Sequence, residues 1–225
     1  YYDLFLQRYD AAGTPLGTET RINTPIPGNP YVAQYEPAIA GLASGNFVAT
    51  WRGEGQDGSN SGIYAQLFDG VTGAAIGTEF RLNQYTTDYQ YLPSIAAVGS
   101  GFVATWISRG QDGSYDGIYA RRYDGAGNAL GDEFRVNEAS YYEQRSPSVA
   151  ATGDGGFVIA WRDFANDDVW AQKFDSTGSR VDGALQISTA STSSDESPAV
   201  VGLAGNAFAV AWQAQSDGSG NGIFQ

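Results

Sequence analysis

Three short strings carry the residues best suited to hold a metal ion. Gln56-Asp-Gly-Ser59, Gln111-Asp-Gly-Ser114 and Ser216-Asp-Gly-Ser219 each offer a carboxylate, a hydroxyl and an exposed carbonyl, all hard oxygen ligands of the kind calcium takes. The alternating Asp-x-Asp-x-Asp spacing of dedicated calcium loops is missing, so an Asp-capped turn explains the same strings. Asp57, Asp112 and Asp217 are the candidate metal ligands, calcium is the one cofactor suggested, and a plain turn is the competing reading. A fourth segment, Trp161-Arg-Asp-Phe-Ala-Asn-Asp-Asp168, stands where a further copy belongs. It lacks the Gly-Ser portion, although Asp163, Asn166, Asp167 and Asp168 could gather oxygens in another way.

A second set of residues is aromatic. Tyr31 and Tyr35, then Tyr85, Tyr89 and Tyr91, then Tyr141 and Tyr142 lie in polar connecting segments. Exposed tyrosines beside amides suit sugar faces or a protein partner, and packing between structural units is the alternative. No histidine and no cysteine is present, which removes the commonest general base and the nucleophile–histidine pairs. Carboxylates could still form a two-acid glycosidase. Most of them recur at matched positions, however, which suits turns better than one asymmetric site. Arg21, Arg81 and Arg135 also recur and read as a solvated outer face. The expectation is a non-enzyme with no catalytic residue.

A net charge of −13 and a single lysine, Lys173, argue against a nucleic-acid partner, since phosphate backbones are bound through Lys and Arg. No apolar run approaches the ~18 residues that span a bilayer, so no membrane insertion is expected. The chain begins Tyr1-Tyr2-Asp3-Leu4-Phe5, already inside a strand pattern, which reads as a segment of a longer or processed chain.

These residues are carried on a repeat. Phe47-Val-Ala-Thr-Trp51, Phe102-Val-Ala-Thr-Trp106, Phe157-Val-Ile-Ala-Trp161 and Phe208-Ala-Val-Ala-Trp212 place tryptophans 55, 55 and 51 residues apart. Ahead of them stand Pro37, Pro93, Pro147 and Pro198. Behind them come Ile63-Tyr-Ala-Gln66, Ile118-Tyr-Ala-Arg121, Val169-Trp-Ala-Gln172 and Ile223-Phe-Gln225, then Glu79-Phe-Arg-Leu-Asn83, Glu133-Phe-Arg-Val-Asn137 and Leu185-Gln-Ile-Ser188. Each unit reads as four short strands A to D, with strand A starting at its proline and strands A and B both buried on two faces. Gly-rich A–B turns and Asp-then-Gly C–D turns join them. The expected fold is all-β, a propeller-like array of about four antiparallel four-stranded blades. The units run over residues 1–36 (strands C and D), 37–92, 93–146, 147–197 and 198–225 (strands A to C). The four tryptophans are expected in the core between units. Alternate turns of a meander share one side, so the B–C and D–A loops, with their Asp-Gly-Ser strings and tyrosines, should form one face.

The combination Ala-Thr-Trp51, Gly55-Gln-Asp-Gly-Ser59, Gly62-Ile-Tyr-Ala-Gln66, Phe68-Asp69 and Glu79-Phe-Arg-Leu-Asn83 resembles the roughly fifty-residue repeat of very large secreted bacterial surface proteins of the RTX, type I secretion kind. The resemblance implies an extracellular or cell-surface adhesin or matrix module. On this reading the B–C/D–A face meets a glycan or protein on a cell surface. Copies of the chain joining through strand edges into a layer, sheath or filament are the alternative.

Overall fold

The computed structural model describes residues 2–25, 32–138, 141–165, 167–188, 195–215 and 221–224. Strands β1 (Phe5–Tyr9) and β2 (Pro15–Arg21) form a two-stranded sheet. Three four-stranded sheets follow: β3 (Gln34–Gly41), β4 (Phe47–Glu54), β5 (Ser61–Phe68), β6 (Ala75–Arg81); β7 (Gln90–Val98), β8 (Gly101–Arg109), β9 (Asp116–Tyr123), β10 (Phe134–Arg135); and β11 (Gln144–Ala151), β12 (Phe157–Asp163), β13 (Asp168–Phe174), β14 (Arg180–Gln186). A three-stranded sheet, β15 (Asp195–Gly202), β16 (Phe208–Gln215) and β17 (Asn221–Phe224), ends the series. Each sheet is an antiparallel meander in chain order. Among the described residues no helix is long and apolar enough to cross a membrane.

The sheets are arranged radially, as in a propeller. The first strands β3, β7, β11 and β15 touch one another in sequence. Four matched dipeptides, Glu36-Pro37, Leu92-Pro93, Ser146-Pro147 and Ser197-Pro198, line a single pocket of about 420 Å³. Units stacked in a line would not bring four equivalent positions to one cavity. The prolines do not start the inner strands, as the sequence suggested; those strands begin three residues earlier. Each dipeptide is a bulge: the pairing slips between Tyr35 and Ala38, Tyr91 and Ser94, Arg145 and Ser148, and Glu196 and Ala199. The residue before each proline has φ of 56°, 50°, 54° or 48°. A proline has no N–H to give the ladder, so a bulge is where a strand accommodates it.

The burial pattern also departs from expectation. β4 and β5 are the buried pair, β5 along its whole length, while the inner strand β3 is mostly half-buried. Inner strands face the axial pocket on one side, whereas the second and third strands are covered by neighbouring sheets. Trp51, Trp106 and Trp161 are 0–2 % exposed, and Trp212 is half-buried. Trp51 packs with Leu4, Leu6 and Ile22, Trp106 with Leu42, Ile63 and Leu82, and Trp161 with Val103, Ile118 and Val136. Each indole therefore fills the gap to the preceding sheet, which is why the residue recurs with the repeat. Stacked pairs Phe47–Phe68, Phe102–Tyr123 and Phe157–Phe174, with ring centroids 4.9–5.1 Å apart, close the opposite end of the same hairpins.

Polar joints hold adjacent sheets in register. Asn83 Oδ1 accepts from Ile63 N–H at 2.7 Å within its own sheet, and its Nδ2 donates to Gln90 Oε1 on the next inner strand at 3.2 Å. Asn137 repeats this with Ile118 N–H and Gln144 Oε1, both at 2.9 Å. Glu79 and Glu133 reach back to the preceding sheet, accepting from Thr24 N–H and from Gln84 and Tyr85 N–H. Because Asn83 is 2 % exposed, Asn83→Ala leaves a buried donor and a buried acceptor unpaired. We expect a loss of about 2–6 kcal/mol of stability, taking ~1–3 kcal/mol per orphaned group. Urea unfolding of the variant against the parent checks this.

Candidate functional site

The expected gathering of B–C and D–A loops on one face is realised most fully between the second and third four-stranded sheets. The β8–β9 turn supplies Tyr115 and the connection into β11 supplies Tyr141 and Tyr142. These tyrosines are 60, 77 and 53 % exposed and, with Gly113 and Ser114, line a pocket of about 490 Å³. Tyr141 and Tyr142 meet edge to face, with centroids 5.6 Å apart, so the pocket presents aromatic surfaces at different angles. Large exposed aromatic rings around a concave surface are unusual without something to cover them. Tyr115 escaped the sequence reading because it sits in an Asp-Gly-Ser turn, not in a tyrosine-rich connection.

A buried amide links this platform to a pair of acids. Gln144 Nε2 donates to Tyr141 O at 3.1 Å and lies 3.5 Å from Asp163 Oδ2. Asp163 ends β12 and Asp168 opens β13, directly opposite one another in the ladder. They are 8 and 3 % exposed. Asp163 Oδ1 accepts from Ala165 N–H at 2.8 Å, which shapes the turn. Asp168 Oδ2 accepts from Gln186 Nε2 at 2.8 Å and its Oδ1 faces Ser188 Oγ at 3.4 Å. Burial, and less strongly the like charge of Asp168, push Asp163 upward from the ordinary carboxylate value. An acid whose pKa is raised, beside another facing hydrogen-bond donors, is an arrangement that supports acid–base chemistry.

The remaining sequence-selected residues serve other contacts. Tyr91 donates its hydroxyl to Asp116 Oδ2 at 2.5 Å; burial and that bond raise its phenol pKa. Arg145 Nε reaches the same carboxylate oxygen at 3.1 Å. Tyr35, Tyr89 and Tyr91 surround the Arg52 guanidinium at 5.5–5.9 Å. Tyr85 is half-buried, its backbone held by Glu133 and Asn83. Asp57 and Asp112 each accept from the serine N–H two residues on, at 3.1 Å, so the turn reading accounts for one oxygen of each carboxylate. Arg21 and Arg81 are exposed, whereas Arg135 is half-buried. Tyr31 and Asp217 lie outside the described residues.

No family model matches the chain, and no curated protein matches it. Solved structures do share its fold. An α-L-arabinanase of Penicillium chrysogenum complexed with arabinobiose superposes with a TM-score of 0.61 at 14 % identity, over 99 % of this chain and 70 % of that one. An α-L-arabinofuranosidase from Lactobacillus brevis gives 0.53 at 10 % identity, over 91 % and 73 %. A Bacillus subtilis arabinanase gives 0.51 at 14 % identity, over 84 % and 69 %. At these identities the likeness establishes the fold. It also corrects the expectation of a non-catalytic, non-enzymatic adhesion or surface-layer module: enzymes that cleave glycans are built on this arrangement of blades. Lacking histidine and cysteine was too weak a ground for excluding catalysis.

The raised pKa of Asp163 has a consequence for stability. An acid whose pKa is higher folded than unfolded opposes folding once the pH exceeds its unfolded value of about 3.9, and the penalty is complete above the folded value. Asp163→Asn retains an acceptor for Ala165 N–H and removes the charge. We expect the variant to gain stability over the parent at pH 7 and to lose that advantage near pH 3. Urea unfolding at both pH values measures the difference.

Proposed function

We infer that this chain is a carbohydrate-active propeller that seats a glycan on the Tyr115–Tyr141–Tyr142 platform and hydrolyses a glycosidic bond with Asp163 and Asp168. The observation that carries the reading is the continuous connection from exposed aromatic platform, through Gln144, to a pair of opposed acids in unlike surroundings. Tyrosine rings offer flat apolar faces to the C–H surfaces of a sugar while their hydroxyls stay available for hydrogen bonding. The neighbours suggest the substrate class: arabinanases and an arabinofuranosidase share the fold, so arabinose-containing polymers come first. An extracellular setting, where polymeric glycans are met, goes with this reading.

In the proposed reaction protonated Asp163 gives its proton to the glycosidic oxygen as the bond to the anomeric carbon breaks. Asp168, as the carboxylate, acts on the anomeric centre from its other side, directly or through a water whose proton it takes. Directly opposed residues in an antiparallel pair have Cβ atoms roughly 5 Å apart, close enough for both acids to reach one bond. In the direct route water then attacks the anomeric carbon, breaking its bond to Asp168 and giving a proton to Asp163; in the water route Asp168 releases the proton it took to solvent and Asp163 takes one up, so both carboxyl groups turn over. Gln144 keeps the acid aligned with the tyrosine loop that holds the sugar.

Reducing-sugar release from arabinan and a panel of other polysaccharides is the test. We expect hydrolysis of at least one, with Asp163→Asn and Asp168→Asn each lowering kcat by about 10²–10⁴-fold, the usual contribution of a positioned acid or base. Tyr141→Ala should raise KM with little change in kcat. Release from no glycan, or release undiminished in both aspartate variants, overturns the reading.

A further inference from the structure

The first four-stranded sheet holds a group of buried oxygens with no hydrogen-bond partner among the described residues. Gln34 Oε1, Gln56 Oε1 and Asp57 Oδ2 are all buried without a hydrogen-bond partner. Their orientations are fixed by what the other atom of each group does in two of the three cases. Gln56 Nε2 donates to Glu79 Oε1 at 2.8 Å, which turns its Oε1 inward. Asp57 Oδ1 accepts from Ser59 N–H, which leaves Oδ2 aimed the same way.

What they face is a pair of glycines. Gly53 and Gly62 stand directly opposite one another on β4 and β5. A Cβ at Gly53 would collide with Gln56 Oε1 and come within 2.9 Å of Gln34 Oε1; a Cβ at Gly62 would lie 2.8 Å from Asp57 Oδ2 and 3.3 Å from Asn83 Oδ1. Neither glycine is among the residues with positive φ, so the backbone does not demand them. The absent side chains make room for oxygen atoms. The equivalent place in the next sheet repeats two of these oxygens, Gln111 Oε1 and Asp112 Oδ2, but there Ser108 faces Gly117, the inner-strand Gln90 Oε1 is already satisfied by Asn83, and the Arg135 guanidinium lies 3.7 Å from Asp112 Oδ2. A cation there would meet a positive charge. Among the described residues no ion pair reaches Asp57.

We propose that the first four-stranded sheet carries a buried calcium site made by Gln34 Oε1, Gln56 Oε1 and Asp57 Oδ2. Buried acceptors without donors are costly unless something supplies positive charge, and a carboxylate with two amide oxygens is a hard-oxygen set of the type calcium takes, water completing the shell. Magnesium fits less well, because it demands near-ideal octahedral geometry and gives up its waters reluctantly. The ion would tie the inner strand, through Gln34, to the β4–β5 turn, through Gln56 and Asp57. The site is independent of the hydrolytic reading, and Asp57 has no part in that chemistry.

Melting temperatures in calcium and in chelator give the first test. We expect calcium to raise the midpoint of the parent chain by roughly 5–10 °C at a concentration 100-fold above Kd, the scale for a ligand that binds the folded state of a chain this size. Asp57→Asn should lose that response and Asp112→Asn should keep it. Terbium, which emits when excited through a neighbouring tyrosine, gives a second readout, since the Tyr64 ring borders both glycines; calcium should displace it. Gln34→Glu, which adds a second carboxylate, should tighten calcium binding about tenfold, as ligand charge governs such affinities, and Gln34→Leu should weaken it. Those two variants decide the matter if Asp57→Asn does not fold. Equal midpoints with and without calcium in the parent chain would mean that the chamber holds water alone. Such a result, or a calcium affinity that none of the Asp57 and Gln34 substitutions moves, overturns the proposal.

Discussion

Everything on the loop-bearing face depends on one kind of buried amide. Sheets packed face to face around an axis do not extend one another's hydrogen-bond ladders, so apolar contact alone would let each sheet slide against the next. The asparagine that closes the outer strand of the first two four-stranded sheets prevents this. Asn83 and Asn137 satisfy a backbone N–H of their own sheet and a glutamine of the following inner strand with one side chain. Apolar burial is non-directional, whereas a buried amide with both ends committed has one acceptable position. The tryptophans supply the bulk of the contact between sheets, and the amides set its register.

That joint also reaches the surface. Gln90 and Gln144, which receive the asparagines, donate from their other ends to carbonyls of the connecting loops, Thr87 O in one case and Tyr141 O in the other. A loop of exposed tyrosines would ordinarily be mobile. Here its backbone is tied through one glutamine, itself fully buried, to the buried asparagine of the junction. The aromatic platform is therefore placed by the same atoms that align the blades, and a site assembled on it inherits the precision of the core.

Much of this was legible in the sequence, for reasons that belong to repeats. The Trp51, Trp106 and Trp161 spacing reported the core because each unit must fill the same gap. Asp10, Asp69, Asp124 and Asp175 reported the turns: each carboxylate accepts from N–H groups two to four residues on. What stayed hidden depends on pairing across strands. The prolines looked like strand starts, since a bulge is defined by what the partner strand does. Tyr115 joins Tyr141 and Tyr142 only after two sheets pack. Asp163 and Asp168 were noticed as a departure from the repeat, yet their opposition follows from the length of the β12–β13 turn. Dismissing catalysis for want of histidine overlooked that two carboxylates suffice when their surroundings differ.

The departure of the third unit then acquires a physical sense. Gly53 and Gly62, Ser108 and Gly117, and Asp163 and Asp168 are the same opposed pair at the top of three successive hairpins. With two glycines the place is a chamber floored by backbone and lined by three unpartnered oxygens. With serine and glycine it holds a hydroxyl and a carboxylate beside an arginine. With two aspartates, Asp163 and Asp168, the carboxyl groups stand on the opposed pair itself rather than on the loop. The framework around the place is held by the tryptophan, by the side chain that caps the outer strand (Asn83, Asn137 or Ser188) and by the inner-strand glutamine, so side chains there can change without disturbing the blade. A repeat can in this way keep its fold in every copy while one copy diverges into an asymmetric acidic site, and that is where chemistry on a symmetric scaffold is to be sought.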